Sequence, residues 1–120
     1  MGLHLHDIGT LSIPNAQQNS SAFSVPSVMG EIATGGLDVY TPATLPETCV
    51  LQAAPSANPQ AADWKTVQWQ PGSDATLAAA RCVSVPFAAG MKSVRIQAGV
   101  AVAAQRDFYI VVQIASDDGQ

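Results

Sequence analysis

The chain has 120 residues, of which 48% are hydrophobic and only 12% are charged. Five basic and nine acidic residues give a formal net charge of −4, which excludes a nucleic-acid-binding surface because such surfaces need clustered Lys and Arg. No segment reaches the roughly 18 apolar residues of a membrane span. The high apolar content also argues against disorder. A small globular domain is expected, with neither nucleic acid nor a membrane as partner.

Residues 1–20 differ in character from the rest of the chain. Apolar and polar residues alternate there, and a stretch rich in Gln, Asn and Ser follows. This period of two predicts an extended N-terminal arm and linker, able to pair with a sheet edge of this chain or of a neighbour. An ordinary first strand of the domain fits the same pattern. The segment lacks the basic and continuous apolar regions of a secretory signal. Its apolar residues are Leu3, Leu5, Ile8, Leu11 and Ile13.

Two adjacent glycines, Gly35 and Gly36, lie between two alternating segments. Glycine pairs supply the positive φ angles of a two-residue turn, so the sequence predicts a tight β-hairpin here. In that register Ile32 pairs with Val39, and the apolar residues of both strands share one face. A shift of one residue would place apolar residues of one strand beside polar residues of the other, so the pattern favours this register over its neighbours.

Further alternating segments predict a series of short strands, and a loop containing two prolines is expected at 54–63. A turn at 71–74 is expected to lead into a long strand, with a single helical turn as the alternative. Short strands at near-regular spacing predict an all-β fold, an antiparallel β-sandwich or jelly roll over 21–116 with a solvated tail at 117–120. The predicted strands are 48–53, 64–69, 81–87, 93–98 and 108–114, the last of them central.

The two cysteines, Cys49 and Cys82, each fall in a predicted strand. A disulfide between two sheets would be typical of immunoglobulin domains, but Ala80 stands where their conserved tyrosine corner would place a tyrosine. Nothing marks the chain as secreted, which favours two buried free thiols. Without further thiols nearby, a zinc site at these residues is not expected.

No residue pattern indicates catalysis or a cofactor. His4 and His6 share one face of an extended segment but lack a third metal ligand, so solvated side chains are expected. Ser73 lacks the second glycine of a nucleophile elbow, and the histidines stand far from any serine of a plausible triad. We therefore predict no catalytic, cofactor-binding or metal-binding residues, and no enzymatic activity. Trp69 is expected to pack in the core, and Trp64 to cap the preceding loop.

The arm Leu3-His-Leu-His-Asp-Ile and the strands at 81–87, 93–98 and 108–114 together resemble small capsid decoration or cement proteins of bacteriophage virions. The resemblance implies a non-enzymatic structural protein of the virion, assembled in the bacterial cytoplasm. Its expected partners are the major capsid protein or other virion subunits, and a homo-oligomer is expected. The arm would reach a neighbouring subunit, and deletion of residues 1–13 would leave a folded domain. The contact candidates are Leu3, Leu5, Ile8, Leu11 and Ile13.

Two alternatives stay open at the level of sequence. One is a carbohydrate-binding β-sandwich module, in which Trp64 or Tyr40 would stack on a sugar ring and neutral polar loop residues would bind its hydroxyls. The other is a different virion or tail component.

Overall fold

Alternating apolar and polar residues form the long antiparallel strands of the described part of the chain, because this pattern gives each strand one face for a core. The structure is a computed structural model that describes residues 3–24, 32–56, 58–86 and 91–117. A short 3-10 helix covers Ala61–Asp63. The strands in chain order are β1 (Leu3–Ile13), β2 (Phe23–Ser24), β3 (Ile32–Tyr40), β4 (Cys49–Ala54), β5 (Lys65–Thr66), β6 (Gln68–Gln70), β7 (Ser73–Asp74), β8 (Thr76–Leu77), β9 (Cys82–Pro86), β10 (Ser93–Ala98) and β11 (Arg106–Asp117).

Two sheets carry the fold. The first is four-stranded with the order β1-β11-β3-β9, and the second has the order β2-β10-β4-β5 with β8 also paired to β4. Strands β5 and β8 follow one another along the same edge of β4, so they occupy one position in the second sheet. Every pair is antiparallel. This alternation of strands between two sheets is the jelly-roll order, and the predicted all-β sandwich is confirmed.

The core lies between the two sheets and draws apolar residues from both. Leu11 and Ile13 of β1 are 2% and 0% exposed, beside the fully buried Phe108 of β11. As predicted, alternate residues of β10 and β11 face inward. From the second sheet the core receives Cys49, Leu51, Leu77, Val94, Ile96 and Ala98.

The predicted hairpin at Gly35 and Gly36 is wrong. Both residues lie inside the single strand β3, and Gly36 pairs with Gln113 on one side and Pro86 on the other. Among the described residues, the glycine with a positive φ is Gly72, at 86°. Strand β11 pairs with β3 along its whole length and β9 pairs with it from Gly36 to Tyr40, and this tertiary pairing outweighs the local turn preference.

The segment between the fourth strand and the ninth also differs from its prediction. The strand expected at 64–69 divides into β5 and β6. Val67 still donates its backbone N–H to the carbonyl oxygen of Leu51 in β4 at 2.9 Å, but the Leu51 N–H donates to the carbonyl oxygen of Ala75 at 3.2 Å, so Ala75 takes over the pairing with β4 at this point. The turn at Gly72 is followed by the short strands β7 and β8 in place of one long strand or a helical turn. Within the described part of the chain, no helix is long and apolar enough to cross a membrane.

Candidate interaction surface

An exposed row of side chains crosses the outer face of the first sheet. The register places Thr10 opposite Tyr109, Tyr109 opposite Tyr40, and Tyr40 opposite Cys82. Residues directly opposite in an antiparallel pair project from the same face, so four adjacent strands each contribute one side chain. We call these four residues the tyrosine row.

The two aromatic rings at the centre of the tyrosine row are packed against each other and remain open to solvent. Tyr40 is 45% exposed and Tyr109 is 46% exposed. Their ring centroids lie 6.0 Å apart in a T-shaped arrangement with an interplanar angle of 61°, the geometry that aromatic quadrupoles favour. Each ring therefore restricts the other's rotamers while leaving a broad apolar surface uncovered.

The electrostatics of the tyrosine row keep its centre uncharged. A hydrogen bond with Cys82 raises the pKa of Tyr40, and nearby Asp38 raises it further. The phenol is therefore neutral at physiological pH. Because neutral groups cost less to desolvate than ions, a partner can cover this region at little cost.

Polar pairs flank the aromatic centre on both sides along the strands. The Ser84 hydroxyl donates to the Asp38 carboxylate at 2.7 Å, and the Ser12 hydroxyl donates to Asp107 at 2.6 Å. The hydrogen bond from Ser12, followed by one from Gln105, lowers the pKa of Asp107. An apolar centre with a satisfied polar rim is the usual anatomy of a protein interface.

A polar network covers part of the second sheet's outer face. The Arg95 guanidinium lies 4.5 Å from the centroid of the Trp64 ring and donates from Nε to Gln52 Oε1 at 2.8 Å. The network continues from Gln52 to Gln97 and from Gln97 to Asn19, each at 3.1 Å. Desolvation lowers the pKa of Arg95. One face of the Trp64 ring is thus occupied within the chain, which counts against Trp64 as a sugar platform; the Trp69 side chain lies outside the described residues.

The structure separates the predicted contact residues into two groups. Leu11 and Ile13 are buried in this chain's own core, so their side chains are not available to a neighbouring subunit. The reason is that β1 pairs with β11 over its whole length, from Leu3 to Ile13. The backbones of Leu3, Leu5 and Ile8 belong to β1, while their side chains lie outside the described part.

Sequence reasoning did not single out the tyrosine row as a unit. The sequence suggests Tyr40 only as a possible sugar platform, Cys82 only as a buried free thiol, and Tyr109 only as a residue of a strand. In the predicted strands at 81–87 and 108–114, the apolar residues alternate with Cys82 and Tyr109, so the alternation alone predicts that these two side chains face outward. Only the register across β11, β3 and β9 brings the three side chains together.

The two cysteines are free and belong to opposite sheets. Cys49 is buried, as predicted, and burial raises the pKa of its thiol to about 11. Cys82 is exposed, which corrects the prediction of a buried thiol, because its strand position points away from the core. The described residues hold no group of three His, Cys, Asp or Glu that could bind a metal ion; the side chains of His4 and His6 lie outside that part.

No protein family matches the chain, and no curated protein matches it. Among solved structures it is similar to a protein described under "Bacillus endospore appendages form a novel family of disulfide-linked pili", at 10% identity and a TM-score of 0.46, covering 94% of this chain and 88% of that one.

The expected role in capsid decoration finds no support and is not proposed further: the similar structure is described among pili, and no family or curated protein links the chain to a capsid. The resemblance to capsid decoration proteins depended on the arm and the strand pattern, which any jelly roll with a long first strand shares. A TM-score of 0.46 carries no argument for a pilus either.

Proposed function

We propose that the chain is a non-enzymatic structural subunit that associates with further copies of itself through the tyrosine row. The observation that carries the proposal is the T-shaped pair of Tyr40 and Tyr109, which stays nearly half exposed on the outer face of a sheet. Tyrosines are enriched at the centres of protein interfaces because they bury a large area and lose few rotamers.

The low charge of the chain supports the same function. Charged residues make up 12% of the chain, about half of the roughly 25% that is usual in globular domains. Few ionic groups would therefore have to be desolvated when a partner covers the surface. The acids nearest the aromatic pair, Asp38 and Asp107, already accept hydrogen bonds from serines of neighbouring strands. A docking partner therefore meets no unpaired carboxylate at the centre of this face.

Light scattering after gel filtration, over a range of protein concentrations, tests the proposal. We expect the mass of the wild type to rise with concentration and the mass of the Tyr40→Ala/Tyr109→Ala double variant to rise much less, since truncation of a central aromatic residue typically costs about 2 kcal/mol or more of binding. Val100→Ala is the matched control, because Val100 is 62% exposed at another place. An identical mass dependence for the wild type and the tyrosine variant would contradict the proposal.

The Cys82 thiol gives a second readout of the same surface. Cys82 is exposed and stands directly opposite Tyr40, so association through the tyrosine row would shield it. We expect its rate of reaction with a thiol reagent to fall as the protein concentration rises, and to stay constant in the tyrosine variant. The buried Cys49 serves as the internal reference.

A second candidate function is glycan binding, favoured by the same exposed tyrosine rings in neutral polar surroundings. A sugar ring would stack on Tyr40 or Tyr109 while hydroxyls such as that of Thr10 bind its polar edge. Saturable binding of a sugar in a calorimetric titration, at an unchanged monomer mass, would favour this function over self-association. Loss of binding in Tyr40→Ala but not in Tyr40→Phe would assign it to the ring.

A further inference from the structure

The outer edge of β1 is a second surface with the features of an interaction site. Strand β1 stands at the end of the first sheet and pairs with β11 on one side only. The pairing runs from Leu3↔Ser116 to Ile13↔Arg106 without a shift. None of the described strands pairs with the other side, so backbone donors and acceptors of an 11-residue strand face outward over about 36 Å.

This edge has few of the devices that normally prevent one sheet from pairing with another, and its one acidic residue is Asp7. Edge strands are usually short, bulged, or protected by lysine or proline. Strand β1 contains no lysine, arginine or proline, and its register has no bulge. The other edges follow the usual rule: β2 and β5 have two residues each, and β9 has five and ends at Pro86.

We propose that β1 pairs antiparallel with β1 of a second copy of this chain, which joins the first sheets of the two copies into one continuous sheet. A second copy supplies the edge that matches in length. Among the described strands, β11 has a comparable length, but both of its sides are already paired. Pairing with β9 of another copy would leave about half of β1 unpaired, and Pro86 has no N–H to donate.

The register of this pairing follows from two requirements. Core-facing positions of one strand must lie opposite core-facing positions of the other, so the register can shift only in steps of two. Centring the pair on Ile8 satisfies this and pairs all of Leu3–Ile13. It also places Asp7 opposite Gly9 of the second copy. Centring on Asp7 would set two carboxylates against each other, which destabilises a cross-strand pair.

Charge variants at the edge test the pairing. In the proposed register His6 lies opposite Thr10 of the second copy. We expect the Tyr40→Ala/Tyr109→Ala variant, in which the tyrosine row is disabled and β1 is unchanged, to remain a dimer of twice 12.4 kDa. The added substitutions His6→Lys/Thr10→Lys should reduce it to a monomer, while His6→Glu/Thr10→Lys should restore the dimer because opposite charges then face each other.

Cysteine cross-linking tests the register independently of charge. In a Cys82→Ser background, Ile8→Cys places two thiols opposite each other at the twofold axis, within the roughly 4.5–5.5 Å Cβ separation of a directly opposed pair. We expect rapid disulfide formation across the dimer on mild oxidation. Thr10→Cys is the matched control, because the two thiols would lie several residues apart along the strands.

These outcomes decide the inference separately from the proposed function. A monomeric tyrosine variant, or equal cross-linking at positions 8 and 10, would overturn the β1 pairing and leave the tyrosine row untouched. A dimer that cross-links at position 8 and dissociates only in the lysine variant would support it, even if the tyrosine row proved inactive.

Discussion

Gly9 shows how one residue without a side chain determines packing at the edge of the sandwich. A Cβ built on Gly9 would lie 2.9 Å from Cε1 of the Phe23 ring. Phe23 belongs to the second sheet and packs against the core, so the ring crosses from one sheet to the other at this point. Glycine is the residue that permits this close approach of the ring to the backbone of β1.

The variant Gly9→Ala is expected to lower the free energy of unfolding by about 1–3 kcal/mol, because overpacking forces the Phe23 ring or the strand to move. Gly99→Ala is the control, since its nearest atom would be the Thr48 carbonyl oxygen at an ordinary 3.6 Å. Urea unfolding of both variants gives the measurement. Equal stability of the two would show that the Phe23 ring moves aside freely.

Glu47 and Arg106 form an ion pair that joins the loop before β4 to the start of β11. Arg106 donates from Nε to Oε1 at 2.9 Å and from Nη2 to Oε2 at 3.1 Å. The Ala103 backbone N–H adds a contact to Oε2 at 3.3 Å. The Arg106 side chain is 11% exposed and the Glu47 side chain is 7% exposed. A bidentate pair with this little solvent around it holds the loop before β4 against the start of β11 more firmly than a surface pair would.

The Arg106 hydrogen bond lowers the pKa of Glu47 below its ordinary 4.5, which predicts acid-dependent stability. A carboxyl whose pKa is lower in the folded state stabilises the protein above the ordinary value and loses that contribution as the pH falls through the folded value. We expect the melting temperature to fall below pH 4.5 more steeply in the wild type than in Glu47→Gln. Parallel pH profiles would show that the pair contributes nothing.

At the scale of elements, β1 is part of the domain itself. It supplies Leu11 and Ile13 to the core and covers one side of β11 along its whole length. The expectation that deletion of residues 1–13 leaves a folded domain stays a prediction, and these contacts count against it. Such a deletion would expose one side of the central strand β11 and remove two fully buried side chains.

The contribution of β1 can be measured without truncation. Ile13→Ala is expected to lower the free energy of unfolding by about 2–5 kcal/mol, since it leaves a cavity in a well-packed core. Thr10→Ala, at an exposed position of the same strand, should change it by less than about 0.5 kcal/mol. Denaturant unfolding compares the two, and a small effect of Ile13→Ala would mean that β1 detaches readily.

At the scale of the whole molecule, the two proposed surfaces differ in direction. The tyrosine row lies on the outer face of the first sheet, while β1 forms one edge of that same sheet. An edge contact and a face contact on one subunit allow each copy to bind two others, which produces an extended assembly unless the geometry closes it. Because each added contact becomes effectively intramolecular, weak individual contacts can then give a stable assembly.

Much of the fold was predictable from local patterns. The strand at 93–98 and the central strand at 108–114 were found because their alternation matches a pleat with one buried face. The hairpin at Gly35 and Gly36 was not, since the same residues accept an extended conformation once β11 and β9 lie on either side. The tyrosine row was beyond sequence reasoning, because it depends on the relative register of strands that are far apart in the chain.

The sequence by itself determined the all-β class, the inward-facing residues of the long strands and the low charge of the exterior, because these follow from residue type and period-two spacing. The tertiary structure decided which sheet each strand joins, that β3 continues through Gly36, and that Leu11 and Ile13 belong to the core. It also decided that Tyr40, Tyr109 and Cys82 stand side by side. The physical reason is that strand pairing is a contact between distant segments, and its hydrogen bonds and buried area are absent from any local stretch of the chain.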